Sequence, residues 1–380
     1  MEENKLTKSH KVVLTNRKGG NFTGVLDGDF HEIKNVNQSV SGNAGLFTRL
    51  YDAFIRNVII TNSNFASTSG SAGALTYYAS NTKFENISVS AKIASEAYAG
   101  GIAGYAINNT SCEKCTFNGS IIIDTSSAYA LGAGIFGIMA TDTLVKYSYN
   151  KGSVSVSSSY SSSDNMIVFA SGIGNMSNFS NTKIVNSYNV GTVKASGRYN
   201  CISAGLSHII NGEIKDSYYL ESNSINLNYD DQRRSQSELL NKNNFHAWNF
   251  KDTWYIDDNY PVLKIFPVET ENVDIELFTS VFNKNTEYVY KYNIEPYGNE
   301  DDIIIENLTP DLIEVTDNKI ITKDKLGIAK IKVILNDVEV EKEFEIKEIL
   351  SFDYDKGYTN KDVVIDFNLN CYQEKITDNY

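Results

Sequence analysis

Proline, cysteine and histidine are scarce in this chain of 380 residues, at four each, and tryptophan scarcer still at two. No run of about 18 apolar residues occurs, so no helix of this chain is long and apolar enough to span a bilayer, and no membrane insertion is expected. The cysteines Cys112, Cys115, Cys201 and Cys371 are too few for a disulfide framework in a chain this long, and free or buried thiols are the expectation. The Cys-Glu-Lys-Cys string at 112–115 has no second pair and no nearby histidine, so it falls short of the four ligands that zinc takes. Basic residues are also in deficit, 34 against 47 acidic, for a formal net charge of -13. Lys and Arg are scattered, which excludes nucleic acid and an anionic membrane as natural partners. The start, Met1-Glu2-Glu3-Asn4-Lys5, is polar, and no apolar signal-peptide core follows it.

What the chain does have is repetition. Hydrophobic residues at 41%, charged residues at 21% and 24 tyrosines describe a folded, β-rich protein. Gly-anchored apolar strands begin at Ala44-Gly45-Leu46-Phe47, Ala72-Gly73-Ala74-Leu75, Gly100-Gly101-Ile102-Ala103, Ala133-Gly134-Ile135-Phe136, Ser171-Gly172-Ile173-Gly174 and Ala204-Gly205-Leu206-Ser207. A unit of two or three short strands cannot bury its own apolar face, so the copies must stack as a solenoid. The surplus length of the longer units falls in Ser-rich linkers such as Ser157 to Ser163, which places insertions at one corner of the coil. Upstream, Phe22-Thr23-Gly24-Val25-Leu26-Asp27-Gly28 and Ile33-Lys34-Asn35-Val36 read as strand, Asp-Gly turn and strand, the first coil.

The second strand of each unit opens on a polar residue: Asn57-Val58, Asn86-Ile87, Lys114-Cys115, Tyr147-Ser148, Asn186-Ser187 and Asp216-Ser217. Aligned in this way, Phe117, Tyr149, Tyr188 and Tyr218 fall in one column. We read that column as an aromatic stack within the coils rather than a sugar platform, since like side chains pile on like in solenoids.

The strings Gly100-Gly101-Ile102-Ala103-Gly104-Tyr105 and Asn186-Ser187-Tyr188-Asn189-Val190-Gly191-Thr192-Val193 resemble the GLUG repeat of bacterial surface proteins. The segment running through Ser237-Glu238-Leu239-Leu240, Trp248-Asn249-Phe250, Trp254-Tyr255-Ile256 and Asn259-Tyr260-Pro261-Val262-Leu263 resembles the element that closes such arrays. The resemblance implies an all-β chain whose residues 1–267 form a right-handed parallel β-helix, in a family of adhesins and accessory regions of surface proteins. Family arrays open with a helical cap, whereas only some twenty residues precede Phe22 here. An uncapped end leaves strand edges to be covered by another chain or by residues that precede this sequence. At the other end Trp248, Phe250, Trp254 and Tyr260 are expected to form a hydrophobic plug.

Residues 268–348 change character, with short alternating runs such as Val273-Asp274-Ile275-Glu276-Leu277 at sandwich spacing. The order Thr309-Pro310-Asp311-Leu312-Ile313-Glu314-Val315, Lys319-Ile320-Ile321-Thr322, Gly327-Ile328-Ala329-Lys330-Ile331 resembles a group 2 bacterial Ig-like domain. That implies an Ig-like β-sandwich acting as spacer or docking module. Residues 349–380, with Gly357-Tyr358-Thr359-Asn360-Lys361-Asp362-Val363, look like the opening of a further such domain or a docking arm. Below ~40 residues such a segment has too little core to fold alone.

Chemistry is hard to find. Parallel β-helices host polysaccharide lyases and hydrolases, and an inverting glycosidase needs two carboxyl groups roughly 6.5 to 9.5 Å apart, hence acids at matched positions of adjacent coils. The matched positions read as Gly, Ala, Ile, Leu, Ser and Tyr. Asp27 and Asp29, Asp230-Asp231, Asp257-Asp258 and Asp301-Asp302 read as solvated turns, with weak calcium binding the alternative. His10, His31, His208 and His246 belong to no catalytic or metal-binding order. Catalytic residues, cofactor and metal are therefore all assigned as none. The expectation is a non-enzymatic display or adhesion protein, with a polysaccharide-degrading spike as the alternative. Its partners would be other virion or surface-protein subunits and a cell-surface glycan or protein receptor. A phage virion component (tail, baseplate or capsid decoration) fits a chain that starts at Met1 without an export signal, and a bacterial cell-surface adhesin fits an excised fragment; the virion is the preferred setting, because an uncapped solenoid end and a short C-terminal arm both ask for neighbouring subunits. The contact residues expected are Tyr129, Tyr160 and Tyr199, tyrosines of the insertion corner.

Overall fold

The computed structural model describes residues 21–348, apart from 163–165, 177–180, 209–211, 222–225, 227–229, 258, 266–271, 278, 296–302, 317 and 337. The expected uncapped N-terminal end and the C-terminal arm lie outside the described residues. The chain divides into two compact units, with the boundary between Glu269 and Thr270. Among the described residues no helix is long and apolar enough to cross a membrane.

The first unit is a parallel β-solenoid of about six turns. One side is a 5-stranded sheet of Ala72–Gly73, Tyr98–Gly100, Tyr129–Ala133, Ile167–Ser171 and Cys201–Ala204, and a 20-stranded sheet winds around the rest. Along each strand, buried and less buried residues alternate: Ile121, Ile123 and Thr125 point into the coil while Ile122 and Asp124 are exposed. Like residues therefore stack inward, as in the buried series Ile55, Phe84, Cys112, Val145 and Ile184.

Each letter of the second strand has a physical role. The opening residues Asn57, Asn86, Lys114, Tyr147, Asn186 and Asp216 all take left-handed backbone with φ between 45° and 55°. Asn and Asp tolerate that conformation better than other residues with a Cβ, and it turns the strand through a corner. In the later coils a serine follows. Ser148, Ser187 and Ser217 accept, through Oγ, from the backbone N–H of Cys115, Ser148 and Ser187 in the coil before, at 3.0 to 3.1 Å. Each hydroxyl in turn donates to the carbonyl two residues upstream at 2.8 Å. The corner is buried, so without this ladder those N–H groups would lack partners.

The pairing corrects four expectations. Phe117 pairs with Asn150, and Tyr149 pairs with Thr116, so Phe117 does not share the column of Tyr149, Tyr188 and Tyr218. Phe117 faces inward, while the tyrosines face outward from the coil. Among the anchor glycines, Gly101, Gly134, Gly172 and Gly205 do form a column, where a Cβ on one would strike the carbonyl oxygen of the next. Gly73, however, pairs with Gly100. Cys112 and Cys115 form a disulfide rather than resting as thiols. Lys114 turns the corner between them, so both side chains point into the coil with Cα atoms 6.1 Å apart, inside disulfide range. Finally, matched strand positions do carry acids, as described below.

Insertions fall at one corner. Between the fourth coil and its predecessor the register offset grows from 28 residues at Ser95↔Ile123 to 33 at Tyr98↔Leu131. In the next coil it grows from 33 at Thr125↔Ser158 to 38 at Tyr129↔Ile167.

The second unit contains largely antiparallel sheets, with one parallel pair of Val281–Asn283 against Glu345–Lys347, around a core that includes Val273, Phe282, Ile320, Ile331 and Phe344. Its longest ladder pairs Gly327–Leu335 with Val338–Lys347. One face of that hairpin is buried and the other carries ion pairs such as Lys332 with Glu339 at 3.2 Å.

Candidate binding surface

Two outward tyrosine columns define the surface of the solenoid, and the chain treats them differently. Tyr149, Tyr188 and Tyr218 occupy matched positions on the last three coils. The segment 239–263 lies over them, and all three are buried with Phe245, Trp248 and Trp254 in one cluster. The Tyr149 and Tyr188 rings stack at 5.1 Å, with Trp254 within 6.2 Å of both. The Tyr188 hydroxyl donates to the Pro261 carbonyl, and Trp248 Nε1 donates to the Asp216 carbonyl at 2.7 Å. Burial pushes the Tyr188 phenol well above its ordinary range. Lys151 sits over the Tyr149 and Tyr260 rings, 3.8 Å from Asp257. Its burial holds the ammonium pKa below the usual value, with Asp257 opposing. The expected plug is thus a clasp along the outer side of three coils.

The second column is open. Arg49, Tyr78 and Tyr105 pair in register across successive coils, outward because Leu50, Ala79 and Ala106 beside them are buried. The Tyr78 and Tyr105 rings stack at 5.7 Å with planes 7° apart. Tyr51 lies 5.6 Å and Tyr77 6.2 Å from Tyr78, and Tyr98 lies 6.4 Å from Tyr105. The Arg49 guanidinium stands 5.4 and 5.8 Å from the Tyr77 and Tyr78 ring centres, and its Nε donates to the Tyr77 hydroxyl. Partial burial raises the Tyr78 and Tyr105 pKa values, and the Tyr77 hydrogen bond raises that of Arg49.

The residues singled out from sequence fare unevenly. Tyr129 and Tyr199 are 45% and 36% exposed at the insertion corner, and the Arg198 guanidinium lies 5.3 Å from the Tyr199 ring. Tyr160 belongs to the same corner but packs half-buried against the solenoid core. Among the described residues no ring contact joins any two of them. The open column is inconspicuous in sequence because Tyr77, Tyr78 and Tyr105 sit in the glycine-anchored strands that build the coil. The signal was Tyr77-Tyr78 followed one repeat later by Tyr105.

Glu85 and Glu113 are register neighbours on adjacent coils, with Asp27 and Arg56 before them and Lys146 after. Lys83 engages Glu85 at 2.5 Å, and Arg56 engages Asp27 at 2.7 Å. Glu85 and Glu113 are matched because each immediately precedes the left-handed corner residue of its coil, Asn86 and Lys114. A polar groove of about 570 Å³ is lined by Asn35, Asn37, Asn62, Asn64, Ser90 and Lys92. Its amides are engaged with each other, Asn62 donating to Asn35 at 2.6 Å and Asn64 to Asn37 at 3.2 Å. Among the described residues no group of three His, Cys, Asp or Glu could hold a metal ion.

No family model and no curated protein matches the chain. A solved structure from Bacteroides ovatus, titled "a putative immunoglobulin A1 protease", is similar over 63% of this chain and 76% of its own, at 21% identity and a TM-score of 0.43. A likeness of that size carries no argument about activity.

Proposed function

We propose that this chain is a non-enzymatic, surface-displayed adhesion protein, a right-handed GLUG-like β-helix joined to an Ig-like spacer. The observation that carries the reading is the open tyrosine column, in which Arg49, Tyr78 and Tyr105 are held in register with Tyr51, Tyr77 and Tyr98 beside them and no described residue covers them as the clasp covers Tyr188. Between the two settings, the disulfide favours a bacterial cell surface. Cys112 and Cys115 are sealed inside a coil, so they must be oxidised as the coil closes, and cytosolic assembly of a virion keeps thiols reduced. Binding of the purified chain to intact cells tests adhesion, and a cell-binding signal no higher than that of an unrelated protein of similar charge would sink it. The intact mass of unreduced protein from its native source tests the setting. Fully reduced Cys112 and Cys115 would return the argument to the virion.

The matched Glu85 and Glu113 favour a second reading, a polysaccharide-degrading spike. Adjacent coils are ~4.8 Å apart, near the roughly 5 to 5.5 Å carboxyl spacing of retaining glycosidases. Against it, Lys83 holds one carboxylate, and Arg56 and Lys146 flank the pair, an arrangement that serves to neutralise a like-charge neighbour. Incubation with polysaccharides should leave viscosity unchanged. A fall abolished by both Glu85→Gln and Glu113→Gln would establish the enzyme instead.

A further inference from the structure

We propose that the open column of Arg49, Tyr51, Tyr77, Tyr78, Tyr98 and Tyr105 is a binding site for an acidic glycan, a chain of pyranose rings bearing a carboxylate. The inference rests on the adhesion reading and deepens it by naming the ligand class and the residues.

Charge gives the first argument. Arg49 is exposed, and its hydrogen-bonding partners are the hydroxyls of Tyr77 and Tyr51. Among the described residues no carboxylate pairs with it, whereas Arg56 on the same strand holds Asp27 at 2.7 Å. The guanidinium, unpaired among the described residues, is locally complementary to a single carboxylate against the opposing net charge of -13 of the whole chain, and its planar fork matches a carboxylate in two-point geometry.

The lining gives the second. The closed column shows what a peptide needs in order to cover tyrosines here: two tryptophans, Phe245 and Leu239 in a cluster that leaves Tyr188 fully buried. The open column presents five half-buried phenol rings in mutual contact, with the exposed Arg49 among them. An apolar peptide laid over it would bury the Arg49 guanidinium without a carboxylate partner, which costs free energy. A sugar supplies both an apolar ring face and hydroxyls that donate and accept. Tyrosine offers the matching combination at low conformational cost. Tyr78 and Tyr105 are matched on adjacent coils at ~4.8 Å, comparable with the length of one pyranose residue, so two neighbouring sugar rings of a chain lying along the solenoid would each meet one of them.

The test is calorimetric titration of the full chain with a short oligogalacturonate, with its carboxyl-reduced counterpart, and with a peptide matching residues 245–256 as the aromatic competitor. A parallel array of sialylated and uronate oligosaccharides defines the preferred acid. Arg49→Gln should weaken binding of the best acidic glycan about tenfold and leave the carboxyl-reduced form unchanged. Tyr105→Ser should weaken both. Arg49 is exposed, so its variant keeps its thermal transition even if Tyr105→Ser does not. Failure of every acidic glycan to bind, equal binding by Arg49→Gln, or tighter binding of the aromatic peptide would overturn the proposal. Cell binding separates the two readings: variants that adhere like the original chain sink this site and spare adhesion, whereas an original chain that adheres to nothing sinks both.

Discussion

The two tyrosine columns are a controlled comparison inside one molecule. Both place phenol rings at matched outward positions of successive coils, stacked at 5.1 Å in one case and 5.7 Å in the other. One is buried beneath Trp248 and Trp254, and the other stands half-exposed around Arg49. The backbone does not distinguish them, since parallel pairing at the same spacing produces both. The difference lies in what the side chains ask for. Tyr188 directs its hydroxyl at a carbonyl of the covering segment and so completes a closed surface, while in the open column the Tyr77 hydroxyl accepts from the exposed Arg49.

If the closed column is structure and the open one is contact surface, stability should respond to them unequally. Trp254 is fully buried against Tyr149, Tyr188 and Trp248, so Trp254→Ala should cost about 3–5 kcal/mol in urea denaturation. The same measurement on Tyr78→Ser should give about 1 kcal/mol or less. Equal losses would erase the distinction.

A smaller effect isolates the hydroxyl. Tyr188→Phe keeps the ring and leaves the Pro261 carbonyl without its donor, for a loss of about 1–3 kcal/mol by denaturant titration. It should also change the alkaline behaviour. The folded Tyr188 pKa is raised, so above the unfolded value of about 10 the unfolded chain releases its proton first and stability falls as pH rises. Tyr188→Phe should flatten that alkaline decline in the melting temperature, and Tyr105→Phe, at a half-exposed site with a lesser shift, should flatten it less.

Much of this was legible before any coordinates. Glycine spacing and alternation give the solenoid, because parallel stacking demands like residues at like places, and Gly101, Gly134, Gly172 and Gly205 obey. The insertion corner followed from the serine-rich linker. The columns themselves were less legible. Placing Phe117 correctly requires knowing that it shares a register with Asn150, a one-residue distinction that reverses the face. The Cys112–Cys115 bond depends on a corner at Lys114, a residue type with little preference for left-handed backbone. The open column is built partly from Arg49 and Tyr51, whose register partners on the next coil, Tyr78 and Ser80, are residues of other types.

The smallest expected effect concerns the corner that underlies both regions. Asn186 takes φ 45° there and also donates to the Ala247 carbonyl of the clasp at 3.3 Å, so Asn186→Ala should lose about 1–2 kcal/mol from the backbone alone. Lys114 takes φ 55° at the same corner, in the coil beneath the open side, without an amide side chain to ease that conformation. Lys114→Asn should therefore stabilise the chain, by about 0.5–1 kcal/mol, read as a rise in the denaturation midpoint at unchanged slope. If Lys114→Asn destabilises instead, the corner is not set by backbone preference. The two columns would then owe their shared geometry to packing inside the coil, where Cys115 takes the place that serine holds in the coils of the closed column.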